Sequence, residues 1–143
     1  MLQEVVPATL DTLIGEAAKI KVESYRFITI TCVELSENTF DLLYHFDRDF
    51  QLKHMRLIVA GEQCVPSITP VYFAAFLVEN EIQDLFGIHF DRLAIDYERS
   101  LYLDPEVQIA PFCKFTVARN TSEKPIIIPD STGPLKDWKA SDA

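Results

Sequence analysis

The chain has 143 residues, with 13 Lys and Arg against 22 Asp and Glu, so its formal net charge is −9. Because 48% of the residues are hydrophobic and 24% are charged, the composition predicts one folded domain and excludes a disordered chain. The acidic balance excludes nucleic acid as a partner, since binding a phosphate backbone requires clustered Lys and Arg. The longest apolar run, residues 72–78, is far shorter than the roughly 20 residues that cross a bilayer. The start of the chain lacks a secretory signal, which predicts a cytoplasmic protein.

A short helix and an antiparallel sheet are predicted for the first 60 residues. Apolar residues recur at helical spacing over about 9–19, where Thr9 or Asp11 can act as the N-cap. From residue 25 the pattern changes to alternation, which predicts three strands joined by turns at 36–38 and 47–49. Asp47 and Asp49 could ligate a divalent cation, but a solvated turn uses the same residue types and is the preferred interpretation.

A long amphipathic helix is predicted over about 69–86. Thr69 can be its N-cap with Pro70 at the first helical position, and Gly87 can end it in the left-handed conformation. An apolar stripe for packing on the sheet is formed by Val71, Ala75, Val78, Ile82 and Leu85. The fold class is therefore α+β.

The other side of this helix carries a second apolar cluster, formed by Phe73, Phe76 and Leu77. Such a cluster is seldom left in water, so the N-terminal helix, the C-terminal segment or a partner subunit should cover it. The helix wheel places Asp84 and Asn80 on the outward side. Residues 79–106 carry eight of the acidic side chains against two Arg, which indicates either a solvated face or a surface for docking a basic partner.

The C-terminal part has weaker periodicity. Residues 101–103 and 112–117 are candidate strands, and prolines bound an extended arm in which Ile126 to Ile128 and Trp138 could act as anchors. We expect a single domain over residues 1–120 followed by a C-terminal arm over residues 121–143.

The cysteines and histidines limit the chemistry of this chain. Cys32, Cys64 and Cys113 are scattered and form no CxxC pair, so the chain cannot hold an iron–sulfur cluster by itself. They are interpreted as buried thiols in a reducing compartment. A small enzyme that uses Cys64 or His89 is the rival hypothesis, and a free-standing interaction module is a third.

A run of short motifs resembles the 30 kDa subunit family of respiratory complex I. The resemblance covers about residues 39–92, from the 42–46 strand through Pro66, Ser67 and Thr69 to the helix end. The family signature E-R-E-x-x-D-L-[FY]-G-[IV] is matched by Glu79, Glu81, Asp84, Leu85, Phe86, Gly87 and Ile88. Asn80 stands where the family has arginine, and the family block G-H-P-x-L-R-R is absent after Phe90. Short members without that block resemble the corresponding subunits of energy-converting [NiFe] hydrogenases.

The resemblance implies a non-catalytic subunit of the hydrophilic arm of a membrane-bound redox complex, either a hydrogenase or an NADH:quinone oxidoreductase. Such a subunit binds no cofactor itself and packs against a large subunit and an iron–sulfur small subunit. Those partners carry the iron–sulfur clusters and, in hydrogenases, a nickel–iron centre. Its place is then the cytoplasmic side, peripheral to the inner face of the cell membrane. Phe73 and Phe76 would belong to the interface, and the carboxylates of the motif would accept hydrogen bonds from loop amides or from partner arginines.

Overall fold

In the computed structural model, which describes residues 4–107 and 109–113, two helices pack on one face of a four-stranded mixed sheet. The elements in chain order are β1 (Glu4–Pro7), α1 (Leu13–Val22), β2 (Arg26–Ser36), β3 (Thr39–Arg48), β4 (Gln51–Ala60), β5 (Cys64–Pro66), α2 (Ala75–Phe86) and β6 (His89–Asp91). The predicted α+β class is confirmed.

The four strands lie in the order β1-β4-β3-β2. The predicted hairpins are confirmed, since β2 pairs with β3 and β3 with β4, both antiparallel. The sequence analysis missed β1, which adds to β4 in parallel. Four residues bounded by a proline carry no periodicity of their own, so this strand is specified by its partner.

Alternation along the strands separates a core face from an open face. Tyr44, Phe46, Met55 and Leu57 are buried and pack in one cluster with the buried residues of both helices. The opposite side of the sheet, here called the outer face, carries the residues that alternate with them: Thr31, Asp41, Leu43, His45, His54, Arg56 and Ile58.

The turn between β3 and β4 has two residues with positive φ, Asp49 at 51° and Phe50 at 65°. This geometry twists in the same sense as the flanking strands and favours Asn or Gly, yet here it holds a fully exposed phenylalanine. The Asp47 carboxylate accepts a hydrogen bond from Nε of Arg26 at 2.8 Å. The preferred interpretation of this segment as a turn is confirmed.

Both helices begin later than the sequence predicts. Residues 9–12 form a turn in which Thr12 Oγ1 accepts from the Thr9 amide at 2.9 Å, and α1 runs from Leu13 to Val22 instead of 9–19. The prediction of α2 from residue 69 is also wrong, since α2 begins at Ala75. Thr69 is not its cap, because its hydroxyl bonds to Ser67 and to the Ala94 amide. The predicted end at Phe86 is confirmed, and Gly87 is left-handed with φ of 73°.

A two-stranded sheet formed by β5 and β6 flanks α2 and was not predicted. Residues 101–103 form bends instead of the predicted strand. Most of the candidate strand over 112–117, and the whole C-terminal arm over 121–143 with Trp138, lie outside the described residues.

Candidate docking site and its buried support

The family motif lies on the last turns of α2, and its first carboxylate is fully buried. Glu79 accepts a hydrogen bond from the Ser67 hydroxyl at 2.6 Å and another from the Ile68 amide at 2.9 Å. Burial raises the pKa of this carboxyl to about 7, although both hydrogen bonds favour the charged form and lower it. The hydroxyl of Tyr44 is also buried, has no hydrogen-bond partner in the described part of the chain, and has its pKa raised by burial and by the charge on Glu79.

Pro66, Ser67 and Thr69 connect this carboxylate to the small sheet. Pro66 pairs with Asp91 at the end of β5, and the Ser67 amide donates to the Asp91 carbonyl at 2.9 Å. The Ser67 and Thr69 hydroxyls lie 2.7 Å apart, and both residues are buried. These three residues therefore fix the loop that leads from β5 into α2.

Two amide side chains on α2, Asn80 and Gln83, hold the segment that follows β6. Asn80 donates to the Ile95 carbonyl at 2.7 Å and accepts from the Tyr97 amide at 2.9 Å. Gln83 accepts from the Phe90 amide at 3.0 Å and donates to Asp96 at 3.0 Å. Sequence reasoning noted Asn80 only as a departure from the family and missed Gln83. The signal that could have found them was their place among the motif carboxylates, with a helical spacing of three.

Asp84 holds the end of the same segment. Its Oδ2 accepts from the Tyr102 amide at 2.7 Å and from the Leu103 amide at 3.3 Å, while Oδ1 is buried without a partner among the described residues. Asn80 and Asp84 were expected on the outward, solvated side of the helix. That expectation is wrong, because residues 94–103 cover this side and leave both side chains fully buried.

The remaining motif residues end the helix and link it to β6. Glu81, Leu85 and Phe86 are half-buried, Gly87 donates its amide to the Gln83 carbonyl at 3.1 Å, and Ile88 is buried. A Cβ at Gly87 would meet only Ala110 at 3.6 Å, so the requirement for glycine comes from its positive φ.

The start of α2 presents an exposed aromatic patch, defined here as Phe73, Phe76 and Leu77. Phe73 is 58% exposed and Leu77 47%, and the rings of Phe73 and Phe76 lie 5.2 Å apart. The N-terminal helix therefore does not cover this patch, which removes one of the three expected covers. The C-terminal segment beyond residue 113 lies outside the described residues, and a partner subunit remains as the third.

The segment held by Asn80, Gln83 and Asp84 adds further exposed apolar side chains, Ile95, Tyr97 and Tyr102, the last at 61% exposure. Its backbone is fixed by buried polar groups while its large side chains face outward. This arrangement is typical of a surface prepared to bind another protein.

Cys64 and His89 do lie opposite each other in the β5–β6 register, and both are exposed. Burial of the thiol group and the nearby Asp91 charge raise the pKa of Cys64. A nucleophilic cysteine needs the opposite shift, so this pair lacks the activation that the rival enzyme hypothesis requires. The expectation that all three cysteines are buried is wrong, since only Cys113 is.

Within the described residues, no helix is both long enough and apolar enough to cross a membrane.

Residues 4–122 match the family described as respiratory-chain NADH dehydrogenase, 30 Kd subunit. An NADH-quinone oxidoreductase subunit of Dinoroseobacter shibae is 28% identical over 151 residues, which cover 96% of this chain and 69% of that protein. The corresponding protein of Ruegeria pomeroyi is 42% identical over 74 residues, covering 47% of this chain and 37% of that protein.

Among solved structures, a chain of the membrane-bound sulfane sulfur reductase, an archaeal respiratory membrane complex, has the same fold with a TM-score of 0.61. It is 20% identical to this chain, and the match covers 78% of this chain and 70% of that one. Because the family match spans most of the sequence and includes the whole α2 motif, the chain belongs to the respiratory-chain NADH dehydrogenase 30 Kd subunit family.

Proposed function

We propose that this chain is a non-catalytic structural subunit of the hydrophilic arm of a membrane-bound redox complex. In that role it docks against a large subunit and an iron–sulfur small subunit, which carry the cofactors. The observation that carries the proposal is the aromatic patch on α2, which the described part of the chain leaves open beside a loop stiffened by buried polar side chains. Its site would be the cytoplasmic side, peripheral to the membrane through its partners.

The polar residues of the motif support this role. Glu79, Asn80 and Asp84 are fully buried and bonded to backbone groups of the same chain. They have no access to a substrate, and they shape the surface instead. The runner-up account, in which they serve only to order this domain, predicts that assembly does not depend on the aromatic patch.

Purification of the tagged full chain from its native membrane fraction in mild detergent tests the proposal. We expect a large subunit and a cysteine-rich small subunit to be retained and identified by mass spectrometry. Phe73→Asp should reduce their recovery several-fold while leaving the thermal melting temperature of the chain unchanged. If the unaltered chain emerges alone in the soluble fraction, the assembly role is wrong.

Leu35→Asp is a matched control, because Leu35 is 48% exposed and lies near the end of β2, outside the aromatic patch. It should leave recovery of the partners intact. A melting temperature that falls in Phe73→Asp but not in Leu35→Asp would mean that the chain's own C-terminal segment covers the aromatic patch.

A narrower proposal places the chain among the short, hydrogenase-type members, on the ground that the G-H-P-x-L-R-R block is absent after Phe90. The same purification distinguishes the two kinds of complex. A nickel-bearing large subunit indicates a hydrogenase, whereas NADH-binding and quinone-module subunits indicate the NADH:quinone type.

A further inference from the structure

The outer face of the sheet carries a side-chain cluster that takes no part in the docking site. His45 on β3 and His54 on β4 are directly opposed in register, and their Nδ1 atoms lie 2.8 Å apart. Their ring planes cross at 83°. Nε2 of His45 lies 2.8 Å from the hydroxyl of Thr31 on β2. His54 is buried and His45 half-buried, so the pair opens to solvent on the His45 side.

The separation of the two nitrogens matches the bite of a metal ion. Two imidazole nitrogens at about 2.0 Å from one ion, at an angle of about 90°, are about 2.8 Å apart. Octahedral and square-planar ions such as Ni²⁺ and Cu²⁺ have that angle between neighbouring ligands, and imidazole suits both. A tetrahedral Zn²⁺ ion needs about 3.3 Å between the nitrogens, so the pair would have to open.

We propose that His45 and His54 form a two-imidazole binding site for a divalent transition-metal ion of the Ni²⁺ or Cu²⁺ type, bound through both Nδ1 atoms. In the described part of the chain, no group of three or more His, Cys, Asp or Glu side chains is arranged around a metal position. Water therefore fills the remaining coordination positions.

The protonation states of the rings are compatible with this site. With metal on both Nδ1 atoms, each neutral ring carries its proton on Nε2, so the proton shared between the rings moves to an Nε2 atom through solvent. In His45 that N–H donates to the Thr31 hydroxyl, which fixes the orientation of the ring. Burial and the neighbouring His54 lower the pKa of His45, which favours the unprotonated form that binds metal.

The charges around the pair do not oppose a cation. Arg56, two residues after His54 on the same face, is paired with the Asp41 carboxylate at 2.7 Å. Asp47, two residues after His45, is paired with Arg26 at 2.7 Å. Val5, opposite His54 on β1, is uncharged. The site therefore has matched charges along the strands and an uncharged neighbour across the sheet.

Calorimetric titration of the full chain with Ni²⁺ at mildly alkaline pH tests this inference. We expect one saturable equivalent, which His45→Gln or His54→Gln abolishes. Thr31→Val should weaken binding roughly tenfold, because it removes only the group that orients His45. With Cu²⁺, the electron paramagnetic resonance spectrum of the unaltered chain should show coupling to two nitrogens.

The third histidine supplies the matched control. His89 faces Cys64 across β5 and β6, and this exposed pair is the competing metal site. His89→Gln should bind Ni²⁺ as the unaltered chain does. Loss of binding in His89→Gln with retention in His45→Gln would overturn the proposal, and so would equal binding in every variant or a copper spectrum without two-nitrogen coupling.

Discussion

Replacing Glu79 by Gln should change how the stability of the fold depends on pH. The carboxyl of Glu79 has its pKa raised from 4.5 to about 7 by burial. Between these values the folded chain binds a proton that the unfolded chain has released, so the free energy of unfolding falls as the pH rises. Each pKa unit corresponds to 1.36 kcal/mol, so the full difference is on the order of 3 kcal/mol, most of it lost between about pH 5 and pH 8.

Glutamine keeps the shape of the protonated side chain and never takes the charge. It can still accept from the Ile68 amide and donate to the Ser67 hydroxyl in place of the proton of the acid. Glu79→Gln should therefore resemble the unaltered chain at pH 5 and be more stable by about 2 kcal/mol or more at pH 8. Urea unfolding of both chains at several pH values measures this, and parallel stability profiles would refute the reasoning.

Three further predictions concern single positions. Gly87→Val should lower the free energy of unfolding by about 2 kcal/mol, because valine is strained at a φ of 73°, whereas Gly15→Ala should raise it by about 0.5 kcal/mol, since a Cβ in that helix meets nothing; equal effects in urea unfolding would contradict the left-handed cap. Phe50→Gly should stabilise the chain by about 1 kcal/mol in the same assay, because its φ of 65° suits glycine and its ring is fully exposed; a loss of stability would mean that the ring packs on something. Cys64 should react slowly with a thiol reagent at pH 7 and faster at alkaline pH, because its pKa is raised; fast labelling at pH 7 would restore the enzyme hypothesis.

The parts of the fold that the sequence predicts are those that local chemistry specifies. The strands β2, β3 and β4 show alternation bounded by turn residues, and Gly87 marks the end of α2. The start of α2 was wrong because the Thr69 hydroxyl, a good cap on local grounds, bonds instead to Ser67 and to Ala94, 25 residues away. Burial of Asn80 and Asp84 could not be predicted, since their cover has no periodicity that places it on the helix.

The buried polar residues of α2 connect the family motif to the aromatic patch. Each of Asn80, Gln83 and Asp84 makes hydrogen bonds to the segment that follows β6. That segment then exposes Ile95, Tyr97 and Tyr102, and the first turn of the same helix carries Phe76 and Leu77. A buried polar side chain that loses its partner costs about 1–3 kcal/mol, so a change in the motif would loosen the segment before it unfolded the sheet. The motif is thus far from any chemistry and still controls the shape of the exposed apolar surface.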